Sequence, residues 1–225
     1  MTTSFLKAVA SIARKDLRIE LRSRELISTM GLFALLSILI FSFALELDRS
    51  ARQEAISGVL WVTVVFASIL GLNRSLAMER DQGNLDAMLL APIDRVAIFF
   101  GKLAGNLAFA LVVGLLLLPI MSILYNQSLV RPWLLAVLGL GTLGFATVGT
   151  LLAMMTVQTR ARESLLPIVM MPIALPVLLA AVRATTAILT DIPLEDWIAW
   201  PQILVVVDVI YLAACYLLFE YIIEE

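Results

Sequence analysis

The sequence lacks histidine altogether and has a single cysteine, and both shortages narrow the chemistry open to the chain. Without imidazole, its 225 residues lack the commonest general base of enzymes and a usual protein ligand of zinc and haem iron. With Cys215 alone, an internal disulfide and a Cys-x-x-Cys redox or metal pair are excluded. Because Cys215 lies in an apolar run, we expect an unreactive, packed thiol. No catalytic residue and no metal ligand is predicted.

Charged residues are also scarce. They make up 15% of the chain, against about 25% in soluble proteins, while apolar residues make up 61%. The mean hydropathy is +0.99. One core of this size cannot hide so much apolar surface, because a folded domain still exposes about a quarter of the surface of its unfolded chain. The surplus must face lipid, which predicts an all-α membrane protein.

Six apolar runs are long enough to cross a bilayer as helices. We predict spans at about 26–45, 55–72, 98–125, 133–157, 164–182 and 200–219. With short connections they fill residues 1–225 as a single transmembrane domain, and no sizeable soluble domain fits. The fifth span contains Pro167, Pro172 and Pro176, which remove backbone donors, so we expect this helix to be bent or locally unwound.

Lysine and arginine are distributed unevenly between the two sides of these spans. Twelve of the 16 lie on the side of both termini, and four lie on the other side. Because basic loops stay in the cytoplasm, this asymmetry predicts cytoplasmic termini. The rings of Tyr125, Trp133, Trp197 and Trp200 then fall at the outer interface, where amphipathic aromatic side chains favour the headgroup region.

The N-terminal segment, residues 1–25, has apolar side chains at helical spacing and basic side chains largely around the other side. This pattern predicts an amphipathic helix in the membrane interface. The charged residues assigned to this helix are Arg14, Lys15, Asp16, Arg18, Arg22 and Arg24. A cleaved signal peptide is disfavoured, because the apolar run that follows is too long and no small-residue cleavage site ends it.

The segment between the second and third spans is the richest in polar residues. Asn84 can cap a short helix, Leu85, Met88 and Leu89 line one face of it, and Pro92 ends it. Such a helix can dock into a groove of a cytosolic protein and pass its motion to the spans. A helix that lies on the lipid headgroups fits the pattern equally well, so both interpretations stay open.

Two further features lie inside predicted spans. A stripe of small residues on the fourth span predicts close helix packing, within one subunit or between subunits. The stripe comprises Gly139, Thr142, Ala146, Gly149 and Ala153. Asp208 lies about eight residues inside the sixth span, so we expect it to face the bundle and to pair with a hydroxyl or a basic group such as Arg183. A proton relay and a structural hydrogen bond are both open roles.

The loop after the second span resembles that of six-span permease subunits of ABC transporters, which carry a Glu-Arg-x-x-Gly motif there. Here the motif is Glu79-Arg80-Asp81-Gln82-Gly83, followed by Leu89-Leu90-Ala91-Pro92 and Phe100-Gly101-Lys102. Within that group the chain resembles the CcmB family, the haem exporter B permeases of bacterial cytochrome c maturation. Arg14-Lys15-Asp16-Leu17 and Gly71-Leu72-Asn73-Arg74-Ser75 also carry the resemblance, which covers essentially the whole chain.

The resemblance implies a multi-pass permease of the bacterial inner membrane that pairs with a separate ATPase, CcmA. It would assemble with CcmC and CcmD beside the haem chaperone CcmE, with haem as the transported species and no firmly bound cofactor. ATP would be bound only by the partner, since the one Gly-Lys pair, Gly101-Lys102, lacks the upstream glycine of a Walker A loop. The residues that would contact the ATPase are Glu79, Arg80, Gly83, Leu85, Met88, Leu89 and Pro92.

Other classes of protein explain parts of the pattern. A non-transporting membrane scaffold would use the same packing stripe and docking loop. A proton-coupled secondary transporter would need several buried ionisable groups and an internal repeat, and neither is clear. An aspartyl intramembrane protease would need two facing aspartates, whereas only Asp208 lies deep in a span. We therefore expect a non-enzymatic permease in contact with lipid, not nucleic acid, whose second half is a copy of itself or another subunit.

Overall fold

The computed structural model describes residues 4–44, 49–81, 93–156 and 162–222, and their backbone is almost entirely helical. The helices are α1 (Phe5–Ser23), α2 (Glu25–Ala44), α3 (Arg49–Asp81), α4 (Arg95–Tyr125), α5 (Pro132–Thr156), α6 (Arg162–Leu189), α7 (Leu194–Trp197) and α8 (Ala199–Ile222). Six helical segments in these residues are long and apolar enough to cross a membrane. The predicted all-α membrane fold is confirmed.

The fifth span is longer than its sequence suggested. We expected it to end at Val182, before Arg183, but α6 continues to Leu189. The helix continues because Arg183 stays exposed while Ala184 and its neighbours on the inner face are buried. One charge on the outer face of a helix does not end it when the opposite face is packed.

The three prolines of α6 do not interrupt it. The helix is continuous from Arg162 to Leu189, so local unwinding is excluded. Each proline removes one backbone donor from the helix. On α8, the hydroxyl of Tyr211 donates a hydrogen bond to the carbonyl oxygen of Ile173, within the proline-rich part of α6. This bond joins α8 to α6 between Pro172 and Pro176.

Helix α5 packs against α3, α4, α6 and α8. Its closest approaches use glycines. A Cβ atom at Gly141 would overlap the indole ring of Trp61 on α3, and one at Gly144 would lie 2.5 Å from a carboxylate oxygen of Asp208 on α8. The first member of the predicted small-residue stripe, Gly139, has no atom within 4 Å of such a Cβ.

The other members of that stripe are buried within the chain. They are Thr142, Ala146, Gly149 and Ala153. A Cβ atom at Gly149 would overlap the side chain of Leu72 on α3. The stripe therefore packs inside this subunit over most of its length, and Gly141 and Gly144, which the pattern missed, bring the helices closest.

Candidate functional site

Charged side chains concentrate where α1 meets the first turns of α2 and α4. We call this region the N-terminal junction and define it by Asp16, Glu20, Glu25, Arg74 and Lys102. Helix α1 lies along α4, and a single residue separates the end of α1 from the start of α2. The junction therefore joins the N-terminal helix to two membrane spans.

A buried ion pair fixes α1 to α4. The Nζ atom of Lys102 lies 2.8 Å from Oδ2 of Asp16, and the two side chains are only 3% and 11% exposed. Lys15 approaches the other carboxylate oxygen of Asp16, at 3.2 Å. The third span was expected to begin at about residue 98, but α4 begins at Arg95, and Lys102 lies about two turns inside it. A charge so deep needs its partner, because an unpaired buried ammonium costs several kcal/mol.

Two glycines of α4 allow α1 to lie this close. A Cβ atom at Gly101 would come within 2.7 Å of the Cβ of Ile12, and one at Gly105 would lie 3.4 Å from the Cβ of Asp16. The spacing of the two glycines, four residues, puts them on one face of the helix. Small residues at this spacing let helix backbones approach in membranes.

Glu20 of α1 caps the start of α2. Its carboxylate accepts hydrogen bonds from the backbone N–H groups of Leu26 (3.2 Å) and Ile27 (2.8 Å). The side chain is fully buried. Between the helices, Arg24 takes a left-handed conformation with φ 57° and donates its N–H to the carbonyl oxygen of Glu20. Sequence reasoning missed this cap, because N-caps are sought immediately before a helix and Glu20 belongs to the preceding one.

The C-terminal part of α3 also reaches the junction. Arg74 of α3 forms an ion pair with Glu25, the first residue of α2. Helix α3 then continues past the end of its apolar stretch at Ser75 to Asp81, which adds about 9 Å at 1.5 Å per residue. The second span was expected to end at residue 72, before a polar loop. The polar residues that follow extend the helix instead.

The chain returns to the membrane at a well-defined cap. Asp94 precedes α4, and its Oδ1 accepts a hydrogen bond from the backbone N–H of Val96 at 2.9 Å. The predicted coupling segment thus begins in α3, and α4 begins three residues after it ends; both helices belong to the junction. Glu79 and Arg80 lie in the last turn of α3. The other predicted coupling residues, Gly83, Leu85, Met88, Leu89 and Pro92, lie outside the described residues, so their role stays a prediction.

The charged residues predicted for the N-terminal helix fall into two groups. Arg14, Arg18, Arg22 and, just after α1, Arg24 are exposed, whereas Asp16 points towards α4 and Lys15 pairs with it. The amphipathic pattern predicted the outward arginines. It did not predict that Asp16 points inward, because the pattern of one helix does not show that Lys102 on another helix pairs with it.

Asp208 lies inside the bundle without a hydrogen-bond partner. Its side chain is 3% exposed and packs near Gly144 of α5 and Val177 of α6. Within the part of the chain that the structure describes, neither carboxylate oxygen has a hydrogen-bond partner. The expected pairing with a hydroxyl or with Arg183 is therefore wrong, and Arg183 is exposed instead.

The sole cysteine lies two turns further along α8. Cys215 is buried, and its thiol faces the carbonyl oxygen of Thr147 on α5 at 3.9 Å. Its surroundings are those of a packed side chain. Among the described residues, no group of three or more Cys, Asp or Glu side chains could hold a metal ion.

At the end of the bundle opposite the junction, an apolar cleft of about 360 Å³ opens between the start of α5 and the α6–α8 connection. Trp133 and Trp197 meet edge to face in its wall, with ring centroids 5.5 Å apart. Arg131 binds the carbonyl oxygen of Ile188 at 2.6 Å and the carboxylate of Asp191 at 2.5 Å. The arginine therefore holds the connecting loop against α5.

The expected ring of outer aromatic anchors is only partly realised. Trp133 is half-exposed and can reach the headgroup region, but Tyr125 and Trp197 are buried. The indole N–H of Trp197 donates to the carbonyl oxygen of Ile192. Two of these four residues thus pack the end of the bundle.

Fold and charges together define a class: a helical, multi-pass membrane protein with six helices long and apolar enough to span, an N-terminal amphipathic helix joined to the third of them by an ion pair, and a long second-span helix that extends to Asp81. Comparison with known families matches residues 7–217 to the family described as CcmB protein. Because the match covers nearly the whole chain, the chain belongs to the CcmB family.

The sequence also aligns with individual relatives along most of its own length and most of theirs. The chain is 27% identical to heme exporter protein B of Bradyrhizobium diazoefficiens, over 82% of this chain and 83% of the relative. It is 24% identical to heme exporter protein B of Pseudomonas aeruginosa (84% and 85%) and 28% identical to that of Escherichia coli strain K12 (84% and 86%).

Proposed function

We propose that the chain is the permease subunit of an ABC transporter complex for cytochrome c biogenesis. ATP hydrolysis by a separate, CcmA-like ATPase would drive haem export, or the release of a haem-chaperone complex on the periplasmic side. The observation that carries this proposal is the family match over residues 7–217, with relatives named heme exporter protein B along most of their length.

The surroundings of the only Gly-Lys pair support the proposal that ATP is bound and hydrolysed by another chain. Gly101 packs closely against Ile12, and the ammonium group of Lys102 binds Asp16. A phosphate-binding loop needs a free lysine and open backbone N–H groups at the start of a helix. Gly101 and Lys102 instead lie inside α4 under a second helix, so this pair cannot cradle ATP.

The arrangement of the junction supports coupling through residues 79–92. The predicted coupling helix would sit between the extended end of α3 and the capped start of α4. The Asp16–Lys102 pair fixes α1 to α4, and Glu20 fixes α1 to α2. A push on the segment would therefore move four helices together and shift them against α5, α6 and α8.

Haem handling would rest on apolar surface and on partner proteins. The chain has no histidine to bind haem iron, and CcmC-like, CcmD-like and CcmE-like subunits would supply what it lacks. The basic residues of α1, of the end of α3 and of the start of α4 would face the cytoplasm, in agreement with the positive-inside rule. Both termini would then be cytoplasmic, in the inner membrane.

Co-purification with the ATPase subunit tests this proposal. Leu89→Asp would place a charge on the apolar docking face, and Gly83→Pro would disturb the start of the predicted helix. We expect each change to lower recovery of the ATPase at least about tenfold while membrane insertion is unchanged. Val130→Asp, an exposed apolar position at the opposite end, is the matched control and should leave recovery unchanged.

Full recovery of the ATPase with both loop variants would contradict coupling through this segment. A non-transporting scaffold is the competing function, since it needs the same contacts. It differs in needing no hydrolysis: a scaffold would keep working with an ATPase that binds but does not hydrolyse ATP.

A further inference from the structure

Helix α1 carries three distinct stripes along its length. Successive residues of a helix are 100° apart, so positions three or four apart share a face. The first stripe faces α4 and α2 and comprises Ala8, Ile12, Asp16 and Glu20. The remaining two stripes face away from the bundle.

The second stripe is basic. It comprises Lys7, Arg14, Arg18 and Arg22, all of them exposed. None of the four forms an ion pair with another described residue. The two acidic residues of α1 cannot neutralise them, because Asp16 binds Lys102 and Glu20 caps α2. Four positive charges therefore face outward together.

The third stripe is apolar and lies beside the basic one. Leu6 and Leu21 are 75% and 74% exposed, and Leu17 lies between them on the same face. Each is the residue just before a member of the basic stripe, so the two stripes are about 100° apart around the helix. An aqueous surface or an acidic protein groove would leave these leucines in contact with water or with charge.

The position of α1 identifies what covers the apolar stripe. Only Arg24 separates α1 from α2, a membrane span whose outward face exposes Leu32, Leu36 and Ile40 to lipid. Helix α1 therefore lies at the edge of the bilayer. Its exposed leucines would then enter the same lipid as the outward face of α2, which would put the neighbouring arginines at the depth of the headgroups.

We propose that Lys7, Arg14, Arg18 and Arg22 form a binding surface for the phosphate groups of anionic phospholipids. The guanidinium group binds a phosphate through two parallel hydrogen bonds. From residue 7 to residue 22 the helix runs about 22 Å at 1.5 Å per residue, which spans several headgroups. Bound lipid would hold α1 in the interface while the ion pair Asp16–Lys102 connects it to α4.

Lipid selectivity of the full chain tests this surface. The purified protein is reconstituted in nanodiscs of phosphatidylcholine and phosphatidylglycerol, and spin-labelled forms of both lipids report which one is held at the protein surface. We expect the wild-type chain to prefer phosphatidylglycerol. In the K7Q/R14Q/R18Q/R22Q variant this preference should fall at least about fivefold. A fivefold fall is about the effect expected from a single basic residue near an anionic surface, so it is a lower limit for four.

Two controls separate charge from folding. R14K/R18K/R22K keeps the charges and should retain most of the preference. Arg183→Gln removes an exposed arginine elsewhere and should leave it unchanged. An unaltered preference in the four-glutamine variant would overturn the proposal. Recovery of the ATPase subunit is measured with the same variant. A retained lipid preference together with loss of the ATPase would overturn the proposal and show that the basic stripe docks on protein.

Discussion

Two aspartates, Asp16 and Asp208, lie against other helices, and their surroundings are opposite. Asp16 is bound by Lys102 and Lys15 at the N-terminal junction. Asp208 packs against α5 and α6, and neither of its oxygens has a hydrogen-bond partner among the described residues. Removing the charge of Asp16 takes a carboxylate away from the buried ammonium of Lys102, whereas no described cation forms an ion pair with Asp208.

The difference shows which of the two regions is held together by polar contacts. At the junction, ion pairs and a helix cap hold α1, α2 and α4 in one geometry. Between α5, α6 and α8, a costly polar group is tolerated without a fixed partner, because the rest of α8 is apolar enough to outweigh it. We therefore expect stability to depend on the charges of the junction and not on the charge of Asp208.

The largest effect is expected for Asp16→Asn. The change removes the negative charge that lies 2.8 Å from the ammonium of Lys102, which is 3% exposed, and should lower the free energy of unfolding by about 3 kcal/mol. Denaturant unfolding in detergent micelles measures it. The double variant D16L/K102M should recover most of the loss, because apolar residues then replace the pair. A single variant as stable as the wild type would show that the ion pair does not fix the junction.

A smaller loss is expected when the approach of α5 to α8 is blocked. In Gly144→Ala, the new Cβ would lie 2.5 Å from Oδ1 of Asp208 and 2.9 Å from Val177. We therefore expect the free energy of unfolding to fall by about 2 kcal/mol. Gly139→Ala is the matched control on the same helix. It has open space and should be neutral or stabilising, since alanine favours a helix. Equal unfolding midpoints for the two variants would contradict the packing of α5.

Glu20→Ala should lower the free energy of unfolding by about 1 kcal/mol. The backbone N–H groups of Leu26 and Ile27 would lose their acceptor, which is the usual effect of removing a helix cap. Glu20→Gln keeps one oxygen and should lose less. Thermal unfolding followed by circular dichroism compares the two, and identical midpoints for alanine and wild type would show that α2 needs no cap from α1.

The smallest effect is expected for Asp208→Asn, the same chemical change as in the first prediction. Since no cation or donor among the described residues depends on this carboxylate, stability should be unchanged or rise by less than about 1 kcal/mol. Unfolding under the conditions used for Asp16→Asn measures the difference directly. A destabilisation as large as that of Asp16→Asn would erase the contrast between the two aspartates.

Much of the fold could be predicted from apolar run length and helical spacing alone. The six spans and α1 are examples, because lipid imposes a simple rule on sequence. The Asp16–Lys102 pair could not be predicted, since its members are 86 positions apart and only the packing of α1 on α4 joins them. The end of α6 was missed because Arg183 resembles a span boundary. The unpaired state of Asp208 was missed because a buried charge normally predicts a partner.

The most direct measurement of the proposed function is the yield of mature c-type cytochrome in cells that depend on this chain. The ATPase that we propose as its partner would be replaced by a variant that still binds this chain but does not hydrolyse ATP. A permease driven from outside the membrane should lose maturation although the complex remains assembled. Undiminished cytochrome yield with the inactive ATPase would contradict it and leave the chain as a scaffold.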